Sequence, residues 1–160
     1  MLYHKYKPLV SRVYCTGLAL LLVLSEVFSS NVQDTLPGFS RIMRLGLTGC
    51  AVLLLAGKII LLTGYEARWQ KVLIAVVLVY TAFSSWYGGD LWFFLAALIG
   101  LGAKDVDWET ALRVYLVTAV AGLVLVQLLH FATPLMPYKF YCRNWDFGYG
   151  HYNGFGARLV

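Results

Sequence analysis

Charge is what this sequence has least of. Of its 160 residues only 13% are Asp, Glu, Lys or Arg, about half the usual share of a soluble globular domain. A water-soluble fold of this size could not bury a composition that is 60% hydrophobic, with mean hydropathy +0.70, and still cover itself with polar side chains. Cysteine is scarce as well. There are three, an odd number without C-x-x-C spacing, so neither a disulfide framework nor a zinc site is indicated. The apolar runs lack the set of carboxylates at depth that a proton relay needs, which disfavours a transporter or pump. No Lys/Arg cluster has the one-sidedness of a nucleic-acid footprint, so the net charge of +5 reports orientation across a bilayer instead. Disordered and collagen-like chains are excluded by the same composition. What remains is an integral membrane protein.

Apolar runs fill most of the chain. His4, Lys5, Lys7 and Arg12 precede an apolar run that ends at Phe28. The pattern is that of a signal peptide, but no small-x-small cleavage site follows, so it reads as an uncleaved first span over about 9–28. A second span covers about 42–63, with Arg41, Arg44 and Lys58 near its ends, where long basic side chains snorkel to the headgroups. The third, about 72–87, closes on the interfacial pair Trp86-Tyr87 and the turn Gly88-Gly89-Asp90. The fourth, 91–103, is about 13 residues, short of the roughly 20 needed to span and short enough to be re-entrant. The fifth covers about 110–136, with Asp107 as its N-cap, Glu109 in its first turn and Pro134 and Pro137 at its end. The fold class expected is therefore an all-α integral membrane protein: one domain over 1–160, a bundle of about five transmembrane helices.

Loop charges orient the bundle. With the N-terminus cytoplasmic, the inner segments hold Lys5, Lys7, Arg12, Arg68, Lys71, Lys104 and Arg113, against Arg41, Arg44, Lys139, Arg143 and Arg158 outside. Five crossings place 138–160 on the outer face as a glycine- and aromatic-rich loop; a re-entrant fourth helix would return it to the cytoplasm. Ala96 with Gly100, and Thr118 with Gly122, are small-x-x-x-small seams that admit close helix approach. Glu26 falls at the outer end of the first span, at the interface. Gln127 and His130 share a face of the fifth, where hydrogen bonds between helices are the ordinary role.

The tail 138–160 carries the densest chemistry: Lys139, Arg143 and Arg158, His151, Asn153, and glycines at 148, 150, 154 and 156 among aromatics. The commonest use of such a composition is an aromatic interfacial belt with glycine turns. Phosphate chemistry is the other. Arginine pairs phosphate oxygens bidentately, glycine leaves N–H groups free to approach an anion, and histidine takes a proton near neutral pH.

The stretch Arg143-Asn-Trp-Asp-Phe-Gly-Tyr-Gly-His151-Tyr-Asn153-Gly-Phe-Gly-Ala-Arg resembles the arginine-then-GFGHPN motif of polysaccharide polymerases, the O-antigen-polymerase-like membrane proteins of bacterial capsule and exopolysaccharide clusters. Gly102-Ala-Lys-Asp-Val-Asp-Trp and Arg113-Val-Tyr-Leu are similar to that family's loop and helix before the motif, and the order of apolar spans is similar throughout. Tyr152 stands where the family has proline. Family members are also commonly much longer, so the resemblance implies an N-terminal portion, inactive alone. It implies a metal-independent glycosyltransferase of the bacterial cell membrane, without a cofactor. The enzyme would move a growing glycan from undecaprenyl diphosphate to a lipid-linked repeat unit, beside export or chain-length partners and with no nucleic acid. Arg143, then Arg158, would stabilise the diphosphate leaving group. His151 would be a base or hydroxyl-binding residue and Asn153 a positioning residue, with Gly148 and Gly150 shaping the turn. The alternative is a small non-enzymatic membrane accessory or scaffold protein, whose tail is an anchor and whose seams pack on a partner.

Overall fold

A computed structural model of the chain describes residues 2–30, 36–65, 67–132, 140–141 and 144–145. In chain order they form α1 (Leu2–Ser29), α2 (Pro37–Gly57) running directly into a π-helical turn (Lys58–Leu62), α3 (Arg68–Gly88), α4 (Trp92–Gly102) and α5 (Trp108–Ala132). A two-residue antiparallel pair, β1 (Phe140–Tyr141) and β2 (Asn144–Trp145), completes the described elements.

Four helical stretches are long and apolar enough to cross a membrane: Pro8–Glu26, Pro37–Leu62, Arg68–Gly88 and Trp108–Ala132. The helix left over, α4, has 11 residues, a rise of about 17 Å at about 1.5 Å per residue, against roughly 30 Å of bilayer hydrocarbon. Only 11% of the apolar window in α3, and 11% in α5, is buried. Val76, Val79, Phe83, Val117, Val120 and Leu128 lie in the open, a surface that costs nothing against lipid and a great deal against water.

Local chemistry explains where the helices stop. Gly89 closes α3 in the left-handed region at φ +68°, which a side chain would strain. The Asp90 carboxylate then accepts the Trp92 N–H at 2.9 Å, starting α4. The glycine pair and aspartate thus form the turn that their order predicts. Asp107 caps α5, accepting the Thr110 N–H at 3.1 Å and the Thr110 hydroxyl through the same oxygen. At the π turn, the Thr63 hydroxyl donates to the Lys58 carbonyl at 3.1 Å, satisfying an acceptor near the end of the helix.

The chain divides into two compact units, Met1–Leu18 with Cys50–Leu112, and Ala19–Gly49 with Arg113–Val160. In the first, Val10, Tyr14, Leu55, Ile59, Leu95 and Leu98 are buried together with Ala51 and Cys15. Gly17 brings α1 against α2 so closely that a Cβ there would lie 2.9 Å from Leu55 Cγ. Helix α4 folds back on α3, where the buried Ser85 hydroxyl accepts the Phe94 N–H at 3.1 Å. Gly100, half of the Ala96/Gly100 seam, has open space where its Cβ would stand.

In the second unit, Leu21, Leu24 and Val126 are buried beside Glu26, Ser30, Ser40 and His130. Glu26, at the outer end of the first expected span, is packed inside the protein. It is 6% exposed, and its Cγ occupies the space a Cβ at Gly122 would need, 2.7 Å away. The Thr118/Gly122 seam makes room for an acidic side chain.

Candidate functional site

A polar cluster among the described residues grows out of the shortness of α4. A helix leaves its last four carbonyls without intrahelical partners, and α4 has no basic residue in its last turn to serve them. Three of the four are satisfied from elsewhere. Ile99 O accepts the Tyr14 hydroxyl at 3.3 Å, Gly100 O accepts the Ala103 N–H at 3.3 Å, and Gly102 O accepts Lys58 Nζ at 2.5 Å. The same ammonium also donates to Lys104 O, and it stands 6.0 Å from the centroid of the Tyr14 ring.

Lys58 is completely buried. Its sequence position suggests a snorkelling base, and the structure corrects that reading. Carbonyls at the negative end of a helix are within reach of the ammonium, and pairing with them offsets the cost of leaving water. With two of its three N–H donors held by carbonyls and the aromatic ring nearby, the group clamps the end of α2 to the end of α4.

A second lysine answers the first. Lys104 Nζ donates to Gly64 O at 2.6 Å and stands 4.5 Å over the Tyr65 ring. Next to Lys104 in the chain is Asp105, the one non-glycine residue at positive φ among those described (64°), a conformation aspartate tolerates better than most. Its Oδ2 is buried without a hydrogen-bond partner. The segment is anchored further by the Ser11 hydroxyl, which accepts the Asp107 N–H at 3.1 Å. Burial pushes the Tyr65 phenol above its ordinary value; the nearby Thr63 hydroxyl pulls it back and the Asp105 carboxylate adds to the rise.

No family model matches the sequence, and no curated protein or solved structure matches it.

The residues that the sequence singles out as a site, Arg143, Gly148, Gly150, His151, Asn153 and Arg158, all lie outside the described residues. In that tail the described backbone is the antiparallel pair alone, with Phe140 opposite Trp145 and Tyr141 opposite Asn144. Among the described residues no three His, Cys, Asp or Glu side chains gather as metal ligands. Cys15 is buried and Cys50 exposed, both as free thiols. His130 is buried with its ring edge-on to Phe131, at a centroid distance of 4.9 Å.

Sequence reasoning passed over Lys58 and Asp105. One signal was present: the short apolar α4 has no basic residue in its last turn, and Lys58 is the one base inside the apolar stretch from Leu45 to Thr63.

Proposed function

We propose that the chain is a multi-pass protein of the bacterial cell membrane with its N-terminus in the cytoplasm and its tail outside. We propose further that it is the polymerase-like portion of a protein that extends lipid-linked polysaccharide. The observation that carries the topology is the return of the segment after α4. Lys104 bonds Gly64 and Asp107 bonds Ser11, so α5 starts from the end of the first unit that holds the start of α1 and the end of α2. In this reading a short α4, completed by residues 103–107, counts as a crossing. Five crossings put 138–160 opposite the N-terminus, on the side where lipid-linked sugars are polymerised.

The order of Arg143, His151, Asn153 and Arg158 among glycines and aromatics supports the polymerase reading. In it, Arg143 and Arg158 hold the undecaprenyl diphosphate and stabilise the charge developing on it. His151 and Asn153 receive the acceptor sugar, and Gly148 and Gly150 shape the turn. A second reading, a non-enzymatic accessory or scaffold protein, draws on the Lys58 cluster, where both ammonium groups end on backbone carbonyls and serve packing.

A single cysteine at Asn153, in a background without Cys15, Cys50 and Cys142, tests the topology with a membrane-impermeant thiol reagent on intact cells. Labelling from outside is expected. Labelling only after lysis removes the polymerase reading. With the tail outside, shortened polymer in cells carrying Arg143→Ala separates polymerase from scaffold.

A further inference from the structure

A pocket of about 290 Å³ opens between the end of α2 and the start of α3, at the small end of the range for ligand sites. One wall is a single stripe of α3. Lys71, Ile74, Ala75 and Leu78 recur at i, i+3, i+4 and i+7 and so share a face, cationic at its first residue and apolar along the rest. The facing wall includes Ile60 and Tyr65. The gradient from charge to hydrocarbon runs along the helix, the direction in which a lipid would lie.

Two observations identify the occupant. The first is charge. Lys71 lines the pocket, the exposed Arg68 precedes it by one helical turn, and Lys104 stands over the ring of Tyr65, another lining residue, so the polar end is basic. The described carboxylate near Tyr65 is Asp105. The second is an unmet hydrogen bond. The Tyr65 hydroxyl is shielded from solvent and makes no hydrogen bond of good geometry; the Thr63 hydroxyl near it gives its own proton to the Lys58 carbonyl. A buried donor without a well-formed hydrogen bond is costly, and a phosphate oxygen between it and Lys71 would supply one.

We infer that this pocket seats one anionic phospholipid, its phosphate between Lys71 and the Tyr65 hydroxyl and one acyl chain along Ile74, Ala75 and Leu78. The lipid belongs to the leaflet at the Lys71 end, cytoplasmic in the topology above, where anionic headgroups concentrate. The inference rests on membrane insertion and is independent of the polymerase reading.

Native mass spectrometry of the full chain, released from detergent with added phosphatidylglycerol or phosphatidylcholine of identical acyl chains, tests it. Wild type should retain one phosphatidylglycerol in preference to phosphatidylcholine. Lys71→Gln should weaken that retention roughly fivefold, the factor equivalent to about 1 kcal/mol for one base near an anionic surface. Ala75→Phe, which fills the slot from an exposed position, should abolish the preference while leaving thermal unfolding unchanged, and Lys71→Arg should keep it. Equal retention of both lipids, or of phosphatidylglycerol by wild type and both Lys71→Gln and Ala75→Phe, overturns the site. So does equal binding of glycerol phosphate without chains, or a second copy of the chain held there in place of lipid. Alkaline carbonate washing of membranes keeps the two failures apart: a chain released by it was never inserted, whereas a retained chain without lipid preference loses this site alone.

Discussion

Lys58 donates its buried ammonium to the carbonyl of Lys104, and Lys104 donates its own to Gly64, six residues beyond Lys58. The two lysines therefore cross-link the same pair of segments in opposite directions. Like charges repel, and the arrangement holds because each ammonium faces carbonyl oxygens and because the Asp105 carboxylate acts on Lys58 as a counter-charge.

Removing the buried member should hurt most. Lys58→Ala leaves the carbonyls of Gly102 and Lys104 without their donor, at about 1–3 kcal/mol for each buried acceptor left unsatisfied. Thermal unfolding in detergent should fall clearly below wild type. Lys104→Ala, whose side chain is exposed, should cost about 1 kcal/mol or less. Equal losses from the two substitutions would contradict the clamp.

The two glycine seams should respond in opposite senses. Gly122→Ala places a methyl 2.7 Å from Glu26 Cγ and should destabilise by about 1–3 kcal/mol, as overpacking does. Gly100→Ala meets nothing and should stabilise by about 0.5–1 kcal/mol, because alanine gives up less chain entropy in a helix. Unfolding midpoints of the two single variants check both signs.

The Asp107 cap is separable from its charge. Asp107→Ala should cost about 1 kcal/mol, and Asp107→Asn much less, because asparagine caps about as well. Near-wild-type unfolding of Asp107→Ala would show that the Thr110 contact carries no weight.

Tyr65 sets an alkaline limit. Its folded phenol holds its proton above the ordinary value of about 10. Above that pH the unfolded chain releases the proton first, so the Tyr65 contribution, complete below about pH 10, is lost as pH rises through the folded value. Tyr65→Phe should flatten this alkaline loss, read as the slope of unfolding midpoint against pH. An unchanged slope would contradict the burial of the phenol.

Much of this architecture is legible in local sequence. The apolar runs, the Gly88-Gly89-Asp90 turn and the Asp107 cap depend on residues within a few positions of one another. Helix starts are less legible. Helix α2 begins at Pro37, ahead of the apolar run expected from 42, because proline at a first helical position is pre-organised for the helix; α3 begins at Arg68, where polar residues conceal its first turn from hydropathy. The Lys58 clamp is hidden for a different reason: its partners lie 44 and 46 positions away, and no window along the chain contains both ends. Glu26 against Gly122 escapes for the same cause. The tail is the reverse case, a segment whose chemistry is plain in sequence and whose proposed site residues lie outside the described structure.

The distance between Lys58 and Gly102 has a consequence for how the protein is made. In a chain inserted N-terminus first, Lys58 enters the bilayer before Gly102 exists. Its partner arrives 44 residues later, about 2–9 s at about 5–20 residues per second of synthesis. During that interval the ammonium has neither carbonyl to bind, so in the proposed membrane topology the second span would be least secure just after it forms, and α4, two helices on, would be what fastens it.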